Sequence, residues 1–339
     1  KCQNRVLCQR GCPFGGYYSS TSSTLPWAAK TGNLTLKSDK IVESIIYDEQ
    51  KGKAIGVRVI DRGDKTTEEY FARIIFVNAS TLASNLLLLN STSNRFPNGL
   101  GNDNGLLAKF IAFHNYMGTL GGSVEGYEDK YYYGKRPTQP IIPNFRNIHR
   151  QETDFLRGYA SFFSAYRGRG VWREGAQVGG DFKDNLTEVG NWGVGMMMQG
   201  ETIPIESNSV SLSPQKDPYG LPQLITNISY QDNDYKSLED FLTQGSEMLE
   251  AAGVKNIYVN RSNQNPGLDI HEMGGVRMGH DPKTSLLNKW NQMHHCDNVF
   301  VADGAAMTST GTQNPSLTFM ALTARAANFA LEEMKKGNI

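Results

Sequence analysis

The stretch that most constrains the fold runs from Cys296 to Asn338. "CDNVFVADGAAM" is a short apolar strand ending in Asp-Gly, and the residues after it read as one long helix. The terminal signals of that helix are all present. Asn314 stands as the N-cap with Pro315 at the first helical position, Lys335 and Lys336 fill the last turn, and Gly337 follows. Leu317, Met320, Ala321, Ala324, Asn328 and Leu331 trace one face, whose small residues predict close packing on a sheet. A buried strand that feeds a helix is the building unit of an α/β domain.

The same unit occurs upstream. "EEYFARIIFVNA" ends in a near-continuous apolar run suited to a strand buried on both faces, and "STLASNLLLLNS" continues it as a helix. Before it, "NLTLKSDKIVESIIYD" and "AIGVRVID" read as antiparallel partners, and "TLPWAAKTG" as a short helix. Between the two units the pattern changes. "FIAFHNYMGTLGGSVEG", "GYASFFSAYRG", "NWGVGMMMQGE" and "LPQLITNISYQ" alternate like strands of an antiparallel sheet with one solvated face. "DYKSLEDFLTQGSEMLEAAG" is an amphipathic helix covering that sheet, capped by Asp234 and ended by Gly253. The fold class is therefore α/β (α+β): one strand–helix domain entered twice, with an antiparallel-sheet domain inserted. The segments are 1–91, 92–265 and 266–339. Ligands in such folds bind outside the carboxyl ends of the strands.

Charge narrows the function. Lys plus Arg number 34 and Asp plus Glu 34, so the formal charge is zero. A nucleic-acid binder needs a basic surplus to meet phosphates, and this chain has none. No apolar run reaches the length of a membrane-spanning helix. Cys2, Cys8 and Cys12 are spaced C-x5-C-x3-C, which matches no standard zinc or cluster pattern, so they read as buried or loop thiols with room for one disulfide, ahead of zinc or iron–sulfur ligation, and no metal site is expected. His294, His295 and Cys296 precede a strand and read as a solvated turn. Met196 to Met198 read as sheet core.

The densest chemistry lies at 271–282, "HEMGGVRMGHDP". Glycines at this density let a backbone approach a neighbour closely or take positive φ. His271 precedes them, and an imidazole that titrates near neutrality can take an alcohol proton. Downstream, Asp303 and Gly304 end the strand, and Asn314 sits at the mouth of a helix whose N-terminus favours an anion.

These motifs, with "NVFVADGAAMTSTGTQNPSLTFMALTARAA", resemble the C-terminal signature of the glucose–methanol–choline (GMC) flavoprotein oxidoreductases, in the branch of sugar and polyol dehydrogenases and pyranose oxidase. "NSVSLSPQKDPYGLP" and "RGCPFGGYYSSTSSTLPWAAKTGNLTL" resemble further segments of that family. The resemblance implies an FAD-binding Rossmann-like domain with an inserted substrate domain. It implies that His271 is the base facing the flavin N5 and that Asn314 is its partner on the substrate oxygen. Asp303 and Gly304 match positions on the ribityl–pyrophosphate chain. Asn314, Pro315 and Ser316 match the turn at the flavin pyrimidine edge, and Val42 matches a residue flanking the adenine. The glycines of 274–279 would let the loop lie on the ring, with Arg277 either pinning that loop, the favoured role, or bordering the substrate pocket. The implied substrate is an alcohol, sugar, polyol or sugar acid, and the implied electron acceptor a protein or a quinone.

Two departures from the family stand out. Its "A-G" after the third strand reads Asn78-Ala79-Ser80 here, and its phosphate-binding G-x-G-x-x-G loop is absent. The chain is therefore read as a C-terminal piece that by itself holds FAD weakly or not at all. The competing readings are a cofactor-free binding or scaffold protein that kept the fold, and an inert piece of the enzyme.

Overall fold

The structure, a computed structural model, describes residues 2–3, 8, 11–127, 129, 139–169, 178–263, 265–266 and 270–339. In chain order the elements begin with α1 (Thr24–Lys30), β1 (Lys40–Asp48), β2 (Lys53–Asp61), β3 (Thr67–Phe71), β4 (Ile75–Val77) and α2 (Thr81–Asn90). Next come β5 (Lys109–Ala112), β6 (His114–Asn115), β7 (Gly118–Val124), β8 (Ile141–Ile142), β9 (Tyr159–Arg169) and α3 (Gly179–Asn185). They continue with β10 (Val189–Glu201), β11 (Ser209–Lys216), β12 (Pro222–Asn227), α4 (Asp232–Ala251) and β13 (Lys255–Arg261). Last are β14 (Met273–Gly275), β15 (Val299–Val301) and α5 (Ser316–Lys336).

The chain forms two compact units. One holds residues 1–36, 116–200 and 235–263; the other holds 37–115, 201–234 and 264–339. These units are cut differently from the three segments read in the sequence. The reason is strand pairing: β5, β11 and β12 join β14 in a sheet ordered β12-β11-β5-β14, which holds 109–112 and 209–227 in the second unit.

The first unit is built on an antiparallel sheet ordered β13-β7-β10-β9-β8. Met196 and Met198 are buried in it, as core rather than as a surface site. α4 lies on the sheet, with Leu238 and Phe241 against Gly118. A methyl at Gly118 would stand 2.6 Å from Phe241 Cδ1, so the strand is bare there to admit the helix. Arg146 donates two hydrogen bonds to Asp240 on α4, at 2.8 and 2.7 Å, and the Tyr159 hydroxyl donates to the same carboxylate at 2.6 Å. Asp234 is not the N-cap of α4. It lies inside the first turn and its carboxylate reaches back to accept the Gln231 N–H at 2.8 Å, as in the second half of a capping box.

The second unit holds the antiparallel meander β1-β2-β3 and the parallel pair β15-β4. The run read as one strand over 68–79 is two. β3 completes the meander, and β4 turns away to pair in parallel with β15, Val299 opposite Ile75 and Val301 opposite Val77. β4 is buried on one face only, since Phe76 is 36 % exposed. β1 starts at Lys40 rather than at Asn33, after a turn in which Asp39 takes φ +56. Asn298 fixes the start of β15 by donating to the carbonyls of Ala54 and Arg73 while its own oxygen accepts the Ala54 N–H. The turn at 294–296 is not a solvated one, because Cys296 is buried in the core beside Leu286 and Val299.

α5 ends as expected, with Gly337 in the left-handed region at φ +76. Its start and its buried face differ from expectation. The N-cap is Pro315, at φ −88 and with no cap bond from its own side chain, so Asn314 lies one residue outside. The buried face carries Ala326 and Ala330 against Phe300, whereas Leu317 is 74 % exposed and Met320 and Leu331 are also open. Small alanines meet the aromatic ring because they let the helix approach it closely.

Candidate active site

The carboxyl ends of β4 and β15 lead into two turns that face one another within the second unit. After β4 comes Ser80, with φ +76 and ψ 159, and then α2. That region of backbone space is almost confined to glycine, and it falls where the resembled family has its Gly. After β15 comes Asp303, which caps the 3-10 turn Gly304–Ala306. Ser84 Oγ donates to Asp303 Oδ2 at 2.5 Å, and the Ala305 N–H donates to Oδ1 at 2.9 Å. The Ser80 N–H also points to this carboxylate. Asp303 is only 8 % exposed, and burial pushes its carboxyl above the usual range. The side chain therefore faces inward and holds two turns together. Gly304 sits where a methyl would meet Thr81 Oγ1 at 2.3 Å and the Glu272 carbonyl at 2.7 Å. Thr81 Oγ1 donates to that carbonyl, and Asn85 Nδ2 donates to the Gly274 carbonyl at 3.1 Å. These bonds dock the 272–275 segment on α2.

The glycines of this segment have a packing reason inside the protein. Gly275 takes φ +91, and a Cβ there would lie 2.1 Å from Asn85 Oδ1. Gly279 abuts Ser285 in the same way. The backbone thus presses on α2 and its own loop, a packing reason for these glycines that is separate from the expected approach to a ring. Arg277 stacks 3.5 Å above the Phe110 ring centroid, so it pins the loop to β5's strand.

His271 is half-buried at φ +71. Its Nδ1 lies 2.8 Å from Nδ1 of His114, and His114 Nε2 lies 2.5 Å from the Gly311 carbonyl oxygen. The rings meet edge to face, with centroids 4.9 Å apart. His114 has 0 % exposure, and burial pulls its pKa down to about 4. Burial also lowers that of His271. This chain of contacts ties the loop at 271 to the turn at Gly311, three residues before Asn314. Asn314 and Ser316 are exposed and Pro315 is buried. Sequence reasoning missed His114. Its signal was a lone polar ring in the apolar run "KFIAFHNYM", with no motif around it.

Val42 lies on β1, 42 % exposed and paired with Val59. It lines a cavity of about 740 Å³ with Val57, Phe76, Ala79, Ala83 and Leu86, bounded by the meander, β4 and α2. Among the described residues, no group of three or more His, Cys, Asp or Glu side chains gathers as a metal-ligand set, and no helix is long and apolar enough to cross a membrane.

Residues 1–104 match the N-terminal family model of GMC oxidoreductase, and residues 204–323 match the C-terminal one. The 2-methyl-1,2-propanediol dehydrogenase of Mycolicibacterium austroafricanum is 30% identical over 342 residues, covering 94% of this chain and 58% of that protein. The fructose dehydrogenase large subunit of Gluconobacter japonicus is 27% identical over 354 residues, covering 99% of this chain and 61% of that protein. A solved formate oxidase from Aspergillus oryzae superposes with a TM-score of 0.65 at 13% identity, over 95% of this chain and 64% of its own. The chain thus spans about three-fifths of the length of these relatives.

Proposed function

Given that the chain belongs to the GMC oxidoreductase family, we propose that it oxidises an alcohol carbon of a sugar, polyol or sugar acid, with FAD as the bound oxidant. The observation that carries the reading is the His271–His114–Gly311 link, which holds an imidazole of lowered pKa beside the turn leading to Asn314. The relatives named for a diol and for fructose support a polyhydroxylated substrate.

His271 accepts the hydroxyl proton, and Asn314 hydrogen-bonds the same oxygen. Burial favours the neutral ring, so the base is ready at neutral pH. The residues fit the cofactor. The cavity beside Val42 is apolar and of a size that takes a planar heterocycle such as adenine. The N-terminus of the 21-residue α5 favours negative charge near Pro315 and Ser316. Because its carboxylate is turned inward, Asp303 holds the turn for the ribityl–pyrophosphate chain, and Gly304 lets that turn close on Thr81 and the Glu272 carbonyl. Bound FAD would supply the acceptor for the hydride that leaves the alcohol carbon.

The test is anaerobic mixing of the holoprotein with diols, aldoses, polyols and sugar acids while the flavin absorbance is followed. At least one class should bleach it. His271→Ala should slow that bleaching by about 10²–10⁴-fold, or ~3–5 kcal/mol. The wild-type rate should hold as pH falls to the ordinary histidine value of about 6.5 and drop only below it. A panel that never bleaches the flavin, or a variant as fast as its parent, contradicts the reading.

A further inference from the structure

We propose that His114 is a positioning residue that sets the tautomer of His271, so that the proton of His271 sits on Nδ1 and Nε2 is the unprotonated nitrogen that receives the substrate proton. The inference rests on the reading of His271 as the base, and it assigns the reacting atom and a second residue behind it.

The argument is a count of protons and lone pairs along three atoms. The Gly311 carbonyl oxygen only accepts, so at 2.5 Å the facing His114 Nε2 must carry a hydrogen and donate it. A neutral imidazole has one N–H, so His114 Nδ1 then offers a lone pair. The 2.8 Å contact between the two Nδ1 atoms needs one hydrogen, and only His271 is left to supply it. His271 Nδ1–H therefore donates to His114, and in neutral His271 the lone pair falls on Nε2.

The other arrangements fail on the same atoms. If His114 carried its hydrogen on Nδ1, its Nε2 lone pair would face the lone pairs of the Gly311 oxygen at 2.5 Å. If His114 carried both, a cation would stand at a side chain with 0 % exposure and with His271 beside it. The surroundings hold the donor and acceptor in place. Thr202 Oγ1 accepts the Phe113 N–H at 3.0 Å and donates to the Phe113 carbonyl at 2.7 Å, which fixes the strand just before His114. Thr310 Oγ1 reaches the Thr202 carbonyl, which fixes the turn just before Gly311.

The arrangement serves the reaction. As the alcohol O–H bond breaks, its electron pair stays on oxygen and its proton goes to Nε2. His271 becomes an imidazolium whose Nδ1–H still donates to His114, so the hydrogen bond survives the step and strengthens as charge appears. A base oriented by a third group is a common arrangement, usually with a carboxylate as the orienting group. Here that group is a neutral ring. It fixes orientation without adding an anion that would raise the pKa of the base.

The test reads the tautomer directly. The holoprotein is labelled with ¹⁵N-histidine and its two-bond ¹H–¹⁵N correlations are recorded, with the His271 signals assigned by their loss in His271→Gln. The expected result is a protonated Nδ1 and an unprotonated Nε2 on His271. A proton on Nε2 in the wild-type protein overturns the proposal, and this measurement needs no variant of His114. His114→Leu, which removes the acceptor, should move His271 toward the Nε2–H form and lower kcat about tenfold or more with a smaller change in KM. His114→Asn, which puts an oxygen where Nδ1 stood, should recover part of that loss. A His114→Leu protein whose His271 tautomer and kcat both match the wild type also overturns it. The base reading fails separately, through a parental rate in His271→Ala, whatever the spectrum shows.

Discussion

Two polar clusters share the second compact unit, one around Asp303 and one around His271. Asp303 spends its carboxylate on the protein itself: Ser84, Ala305 and Ser80 all point to it. His271 engages one ring nitrogen with His114, and the second nitrogen is outside that link. Both residues are assigned to the proposed flavin site, and both are removed from full solvent. The difference is in what burial has been used for. At Asp303 it buys a rigid junction between two strand-to-helix turns. At His271 it lowers a pKa and orients a ring. A buried polar residue near a cofactor site is thus assigned by which of its atoms the fold consumes.

The comparison breaks most readily through stability. Asp303→Ala strips the partner from a fully buried Ser84 hydroxyl and from two backbone N–H groups, each worth about 1–3 kcal/mol when left unmet. The expected loss is ~2–4 kcal/mol in urea unfolding, with flavin content falling alongside. His271→Ala should lose rate instead and stay within about 1 kcal/mol of the parent, because its ring is only half-buried. If Asp303→Ala unfolds at the parental midpoint, the junction is not held by the carboxylate.

A smaller effect sharpens the same contrast. Ser80 takes a backbone conformation that costs ordinary residues of order 1–3 kcal/mol, and its N–H faces Asp303. Ser80→Gly removes the strain and adds chain entropy to the unfolded state worth about 0.5–1 kcal/mol. The net expectation is stabilisation by ~1 kcal/mol, measured by the same unfolding. Destabilisation would mean that Ser80 sits in a relaxed conformation and that Asp303 is not holding it against strain.

Some of this was legible in the sequence because the signals are local. Strand–turn–helix junctions at 75–90 and 299–336 announce themselves by apolar runs followed by small residues, and Gly253 and Gly337 end their helices where read. His271 stood out because glycines follow it. His114 did not, because its role depends on a partner 157 residues away. The face of α5 was misread for a related reason. Periodicity finds the stripe with the largest apolar side chains, and Leu317 and Met320 lie on it. Contact with Phe300 instead selects the stripe of Ala326, Phe329 and Ala330, whose two alanines give almost no apolar signal. Asn314 was read as a cap because it precedes a proline, yet the helix takes Pro315 itself as its N-cap residue.

The central claim, that His271 is turned toward the reacting alcohol while Asp303 is turned into the fold, is tested most directly by a crystal structure of the holoprotein, reduced and holding an alcohol of the best substrate class. The account predicts the hydroxyl oxygen within about 2.6–3.2 Å of His271 Nε2, with His114 still between His271 and Gly311. A hydroxyl bound by the Asp303 carboxylate, or a His271 ring that leaves His114 and turns its Nδ1 to the substrate, would contradict it.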